Sequence, residues 1–362
     1  MFLNPAKSVL SLFLLLVVSG ALSFGLYFGP FALSPSNPSL KEPIFINISK
    51  GESPPEISKA LTSQGVVSDQ RKLLLLGKLL RIWKKVKAGE YQVSAAMTPI
   101  EVLSVISSGI TVKHPLTVRE GENMYEIAED LEEKKLGQKD RFVSLCKDPK
   151  FIASLGFTHP LPLTLEGYLF PDTYLLNKGM SAEEIARQMY KRFLASWSTH
   201  EEARAKELKM SRHEIVTLAS MVEKETGAPQ ERAQISAVFY NRLKKHMRLQ
   251  SDPTTIYGIW ERYEGKIHKS DLQESTPYNT YTIPALPIGP IGNPGKEALQ
   301  AALYPEANDY LFFVSHNDGT HQFSAKYDDH VNAVRKFQLD PKAREGKSWR
   351  DLNHKAEKGK QD

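Results

Sequence analysis

The sequence predicts an α+β protein: an N-terminal transmembrane helix, small strand-turn-helix modules, then a mixed α+β domain. Three observations predict it. Residues 8–33 carry no charge and are dominated by Val, Leu, Phe, Ala and Gly. A short strand, a glycine turn and a short helix occur twice, with Gly51 and Gly121 at matching positions. Beyond residue 159, helical periodicity alternates with Pro- and Gly-rich segments and ends in a hairpin pattern.

A chain of 362 residues with 41% hydrophobic content has room for two or so ordinary domains. The formal charge of +5 calls for no nucleic-acid partner. Cys146 is the sole cysteine, which excludes an intrachain disulfide, a cysteine zinc cluster and a lipid-modified N-terminal cysteine. His213-Glu214 lacks the second histidine of a zinc-protease motif, so no metal or cofactor is expected. Ser220 has no recognisable nucleophile elbow around it and reads as a helix-packing serine.

Residues 8–33 are long enough to cross a bilayer. Lys7 precedes them and no Lys or Arg follows until Lys41, so residues 1–7 are expected in the cytoplasm and the bulk of the chain outside, on the inner membrane's extracytoplasmic side. Small residues near Ser19, Ala21 and Ser23 leave a cleavable signal peptide as the alternative. Residues 34–43, with Ser34-Pro35-Ser36-Asn37-Pro38-Ser39, read as an extended linker.

Residues 44–158 are read as the region of the duplicated unit. Phe45 to Ile48 alternates as a strand, Ser49 to Glu52 turns, and Pro54 opens a helix through Ile57 and Leu61; Leu116 to Val118, Arg119 to Glu122 and Tyr125 to Leu131 repeat the order. This strand, glycine and I-A-x-x-L helix resembles the LysM fold, a peptidoglycan-binding module. Between the copies, Lys72 to Val86 reads as a basic amphipathic helix, with Trp83 either half-buried or available to headgroups.

Residues 159–341 are expected to form the second domain. Glu166 to Tyr174 interleaves aromatic and acidic residues on an irregular segment, a composition that suits a sugar-binding wall or a packed loop. Ser181 to Leu208 reads as helix. Ser211 with Glu214 forms a capping box for the next helix, in which Ile215, Leu218, Ala219 and Val222 recur on one face. At about 100° per residue, Glu225 borders that apolar face, while Glu223 is turned roughly 160° away from Glu225 and reads as a surface charge. Ala233 to Leu243 is helical, Leu249 to Gly258 reads as a shaped loop or short strand, and Tyr310 to Val314 pairs with His321 to Phe323. Residues 342–362 are expected to be a flexible basic tail.

A carboxyl group against apolar surface has a raised pKa and serves as a general acid near neutrality, which singles out Glu225. Glycosidic cleavage fits such a group. Hydrolysis needs a second carboxylate, for which Asp252, Glu166 and Asp172 are the candidates. A lytic transglycosylase needs none, because the C6 hydroxyl of the muramic acid attacks its own C1 and one glutamate acts as acid and then base.

Glu166-Gly-Tyr-Leu-Phe-Pro-Asp-Thr-Tyr174, Ala219-Ser-Met-Val-Glu-Lys-Glu-Thr226, Asn241-Arg-Leu243, Leu249-Gln-Ser-Asp-Pro253 and Tyr278-Asn-Thr-Tyr281 together resemble the YceG-like endolytic murein transglycosylases, the MltG family, over nearly the whole chain. The resemblance implies Glu225 as the catalytic acid/base. It also implies cleavage of nascent strands between MurNAc and GlcNAc with 1,6-anhydro ends, and cell-wall synthases, the penicillin-binding proteins, as partners. It places Glu166, Tyr168, Asp172, Asn241, Gln250, Asp252, Tyr257, Tyr278, Asn279 and Tyr281 as substrate-binding candidates. The competing readings are a non-catalytic peptidoglycan-binding scaffold for a synthase and a muramidase-type hydrolase.

Overall fold

The structure is a computed structural model describing residues 5–157 and 160–340; within its first helix the side chains of residues 5–13, 16, 17 and 21 lie outside the described set. The expected tail from Lys342 also lies outside the described residues. Two compact units form, one from residues up to 115 with 175–180, the other from 116–174 and 181 onward.

The first unit runs α1 (Pro5–Leu33), β1 (Ile44–Ile48), α2 (Pro54–Ser63), α3 (Gln70–Leu79), β2 (Gly89–Val93) and α4 (Pro99–Ser108). β1 and β2 pair antiparallel with Ile46 opposite Tyr91. The two-residue alternation of β1 sends Ile46 and Ile48 inward, where they meet Ile57, Leu61, Leu73, Tyr91 and Leu103. Capping boxes at Ser53 with Glu56 and Thr98 with Glu101 satisfy the starts of α2 and α4. Gly51 adopts φ +85°, the left-handed turn that its place between strand and helix demands.

The basic helix ends earlier than the expected Val86. α3 stops at Leu79, Arg81 turns through φ 55°, and Trp83 folds back so that its ring N–H donates to the Leu74 carbonyl at 3.0 Å. A Cβ at Gly77 would stand 2.4 Å from that ring, so the glycine is what admits the indole. Trp83 is a packing residue rather than a headgroup anchor.

Among the described residues no helix is long and apolar enough to cross a membrane. Residues 8–33 do lie within α1, but much of that helix's N-terminal half has side chains outside the described set, and the continuous described stretch, 22–33, falls short of the about 20 residues that a span needs. Its final turn, with Phe31 and Ala32, joins the first unit's core.

The second unit contains β3 (His114–Val118), α5 (Met124–Glu133), α6 (Lys139–Cys146), α7 (Pro149–Ser154), β4 (Asp172–Leu176), α8 (Ala182–Ala195), α9 (Thr199–Glu207), α10 (Arg212–Glu225), α11 (Arg232–Lys244), α12 (Asp252–Gly258), α13 (Lys269–Gln273), α14 (Lys296–Leu303), β5 (Phe312–Ser315), β6 (His321–Ser324) and α15 (Tyr327–Val334). It begins at residue 116, within β3, and ends one stretch at 174, within β4; these two strands pair with each other. The second strand-turn-helix copy therefore forms as expected but packs with the later domain, not inside a separate 44–158 region. Its turn is tied there by main-chain bonds: Gly121 N–H donates to Asn293 O, and Asn293 N–H to Glu122 O, each at 2.8 Å.

The expected helix from Ser181 to Leu208 is two helices, because Ser198 caps α9 with a box completed by Glu201. The segment around Pro253 forms the short helix α12 rather than a loop or strand, with proline in the first turn, where no N–H is needed. β5 and β6 form the expected antiparallel hairpin, with Phe313 opposite Phe323. At the centre, α10 packs on α11 and α14. Every residue from Ile215 to Val222 is buried, so α10 is enclosed on all sides instead of along one stripe.

Candidate active site

α10 ends at Glu225 because Thr226 leaves helical geometry (φ −81°, ψ 115°) and turns its hydroxyl back to the Val222 carbonyl at 2.6 Å. The Glu225 side chain thus stands at the open end of a buried helix, partly buried itself. Burial pushes its carboxyl up to about 7; the Ser251 hydroxyl and the Arg242 charge pull the other way, and the nearby Asp252 charge raises it further. The partial negative charge of the helix C-terminus also opposes ionisation. Ser251 Oγ donates to Glu225 Oε1 at 2.5 Å. Oε2 has no hydrogen-bond partner among the described residues and is left to carry a transferable proton.

The groups around Glu225 come from two loops laced together. Thr280 accepts from Gln250 N–H through its carbonyl at 3.2 Å and from Ser251 N–H through its hydroxyl at 3.0 Å, and the Thr254 and Thr280 hydroxyls meet at 2.8 Å. Arg242, 8% exposed, holds the same loop by donating to the Leu249 carbonyl at 2.8 Å, while its Nε donates to Leu311 O at 2.6 Å. Tyr281 donates its hydroxyl to Asp252 Oδ1 at 2.6 Å. Gln250 is exposed and held at φ +52°, a backbone strain that this lacing maintains beside the carboxyl.

Of the sequence-derived candidates, the structure gathers Gln250, Asp252 and Tyr281 near Glu225. Others are placed elsewhere. Glu166 is 0% exposed and accepts from Met124 N–H at 3.0 Å, Tyr257 Oη at 2.8 Å and Asn293 Nδ2 at 3.0 Å. Burial pushes its carboxyl up to about 7, against those hydrogen bonds. Tyr168 is a core ring whose hydroxyl meets His213 Nδ1 at 3.0 Å. Asn279 is fully buried, and its amide bonds the Asp271, Leu272 and Glu274 carbonyls. Asn241 donates to the Asn308 and Tyr310 carbonyls, each at 3.0 Å. Asp172 pairs with Arg192 at 2.5 Å on β4. Glu166, Tyr168, Asn279 and Asn241 turn their polar atoms to the protein, whereas Asp172 stays partly exposed in its surface ion pair with Arg192. Tyr257 and Tyr278 pack ring against ring, with centroids 4.8 Å apart.

Ser251 and Arg242 are the positions sequence reasoning missed. Both lie inside the quoted motifs, and a hydroxyl one residue before Asp252 was the available signal.

Glu223 also differs from expectation. Its side chain is 6% exposed, pairs with Arg232 at 3.1 Å and accepts from Gly295 N–H at 2.9 Å. Because α10 is enclosed all round, pointing away from the apolar stripe leads to another packed surface, not to water. Glu223→Ala is therefore expected to lower the melting temperature, costing about 1–3 kcal/mol. Arg232 retains Glu297 at 2.7 Å, which limits the loss. Activity per folded molecule should persist at low temperature; an unchanged melting temperature would remove this structural role.

Comparisons with known proteins agree over most of the chain. A family model described as YceG-like family matches residues 46–336. An endolytic murein transglycosylase of Bacillus subtilis is 31% identical over 341 residues, covering 89% of this chain and 91% of that protein. One from Streptococcus pneumoniae is 27% identical over 88% of this chain; the match spans 63% of that longer relative. A crystal structure of a YceG-like protein from Listeria monocytogenes, 33% identical, aligns with TM-score 0.56 over 81% of this chain and 99% of that one.

Proposed function

The chain belongs to the YceG-like family, and on that basis we propose that it is a lytic transglycosylase acting within peptidoglycan glycan strands, with Glu225 as acid and then base. The supporting observation is the Glu225 carboxyl, raised to about 7 and fixed through Oε1 by Ser251, with Oε2 unpartnered among the described residues. Protonated Oε2 gives its proton to the glycosidic oxygen as the bond from MurNAc C1 to GlcNAc O4 breaks. The resulting carboxylate then takes the proton of the MurNAc C6 hydroxyl as that oxygen bonds to C1, closing the 1,6-anhydro ring without water. Asp252, whose carboxylate is held by Tyr281, supports muramidase-type hydrolysis as a second reading. Mass spectrometry of the new ends separates them: anhydromuramyl ends support transglycosylation, and reducing ends carrying one added water overturn it.

The first unit, with its LysM-like strand-turn-helix, is assigned to holding glycan, and a cell-wall synthase is the expected partner. Residues 8–33 are assigned as the anchor, N-terminus inside. Supporting this, Leu14, Leu15, Val18, Leu22, Phe24 and Leu26 of α1 are all exposed, an apolar surface that lipid would cover. A periplasm-dependent reporter fused at the C-terminus should be active, and a high-salt wash should leave the protein on the membrane. A freely soluble, internally retained fusion would refute the assignment.

A further inference from the structure

A second polar and aromatic concavity lies in the same unit as Glu225, at the opposite end of α12. Two adjoining cavities of about 490 and 480 Å³ share Tyr125, Lys147, Trp260 and Glu261 in their walls. The Tyr125 and Trp260 rings are nearly parallel, 17° apart, with centroids separated by 6.0 Å, too far for face contact and therefore offset. Lys147 Nζ lies 5.0 Å from the Tyr125 centroid and 3.9 Å from Glu261. Both rings are partly exposed, and Glu261 and Lys147 are exposed at the rim.

We propose that this concavity is a saccharide-binding subsite for the glycan strand, remote from the bond that is cut. Partly exposed aromatic faces offer the flat apolar surface on which the C–H face of a pyranose packs. Lys147 and Glu261 supply a donor and an acceptor at the rim for hydroxyl and acetamido groups. The pair is loose and solvated, so exchanging it for ligand hydrogen bonds costs little. Volumes near 500 Å³ fall in the range of small-ligand pockets. Position supports the assignment as well. α12 carries Asp252 at the Glu225 end and Tyr257 and Gly258 at the cavity end, a rise of about 10 Å along its axis that a disaccharide bridges. The subsite would let the enzyme engage sugars beyond the scissile pair and so favour long strands over short ones.

This inference rests on the glycan-cleaving function, and its test separates the two. Binding of a chitotetraose probe to full-length Glu225→Gln protein is measured by calorimetry, alone and with Trp260→Ala or Trp260→Tyr added. Removing an aromatic anchor from a binding site is expected to weaken affinity by roughly 5- to 150-fold, about 1–3 kcal/mol. Trp260→Ala should weaken binding by at least the lower figure, and Trp260→Tyr should restore most of it. In otherwise unaltered enzyme, Trp260→Ala should raise KM for long peptide-free strands while leaving kcat within about twofold. Unchanged affinity in the Trp260→Ala protein, provided that it melts normally, overturns the subsite. A misfolded Trp260→Ala variant transfers the decision to Lys147→Ala, at an exposed position, for which unchanged affinity and strand-length preference likewise overturn it. Loss of probe binding on Trp260→Ala together with no anhydromuramyl product from the unaltered enzyme would sink the catalytic reading and leave the subsite standing.

Discussion

Glu225→Gln is expected to lower the rate of anhydromuramyl-end formation by about 10² to 10⁴, measured on peptide-free glycan strands at pH 6. The amide keeps an acceptor for the Ser251 hydroxyl, now 2.5 Å from Oε1, but has no proton to give the leaving oxygen. In the unaltered enzyme kcat/KM should fall as pH rises through about 7, because the acid form is required in the free enzyme and burial sets its midpoint there. Stability moves in the same window. A carboxyl raised in the folded state favours folding fully below its unfolded pKa of about 4.5 and loses that contribution as pH climbs through about 7. Replacing it with an amide removes a destabilising ionisation above neutrality, so the variant should melt at or above the parent temperature at pH 8. Near-parental anhydro product from a well-folded Glu225→Gln protein would dismiss Glu225 as the acid.

Glu166→Ala should have the largest effect on stability. The carboxylate gathers the Met124 N–H, the Tyr257 hydroxyl and the Asn293 amide in a site without water access. Truncation leaves those donors unsatisfied at about 1–3 kcal/mol each, with some recovery by relaxation, for a total of about 3–5 kcal/mol. Asn293 also bonds the Leu169 N–H and the Glu122 carbonyl, so the damage reaches the turn of the second strand-turn-helix copy. Glu166→Gln keeps one acceptor oxygen for the Met124 and Asn293 donors and sets an amide N–H where the Tyr257 hydroxyl can turn to accept it, so it should lose less. It should also flatten part of the stability loss between pH 4.5 and 7, since burial raises this carboxyl as well. A Glu166→Ala protein that melts like the parent would return Glu166 to the substrate contacts.

Local elements and the identity of the acid candidate were legible in the residues alone. Strand alternation at Phe45 to Ile48, the glycine turns at Gly51 and Gly121 and the Ser211 capping box are all set by interactions within a few residues, and such short-range rules hold before anything packs. Glu225 stood out because it follows an apolar helical run directly. Long-range packing settled the rest. A helix-face argument assumes water on the far side; α10 is covered on every side, so Glu223 became an interior ion pair instead of a surface charge. The motif residues Glu166, Tyr168, Asn241 and Asn279 look alike in sequence whether they bind sugar or bind the fold, and only their partners, all from the protein, separate the cases. The domain limit moved for the same reason. The second strand-turn-helix copy is nearly as regular as the first, yet main-chain bonds from Gly121 and Glu122 to Asn293 join it to residues far along the chain. Ser251 reaches Glu225 across a 26-residue separation, a meeting that no periodicity encodes and that packing of the two laced loops alone creates.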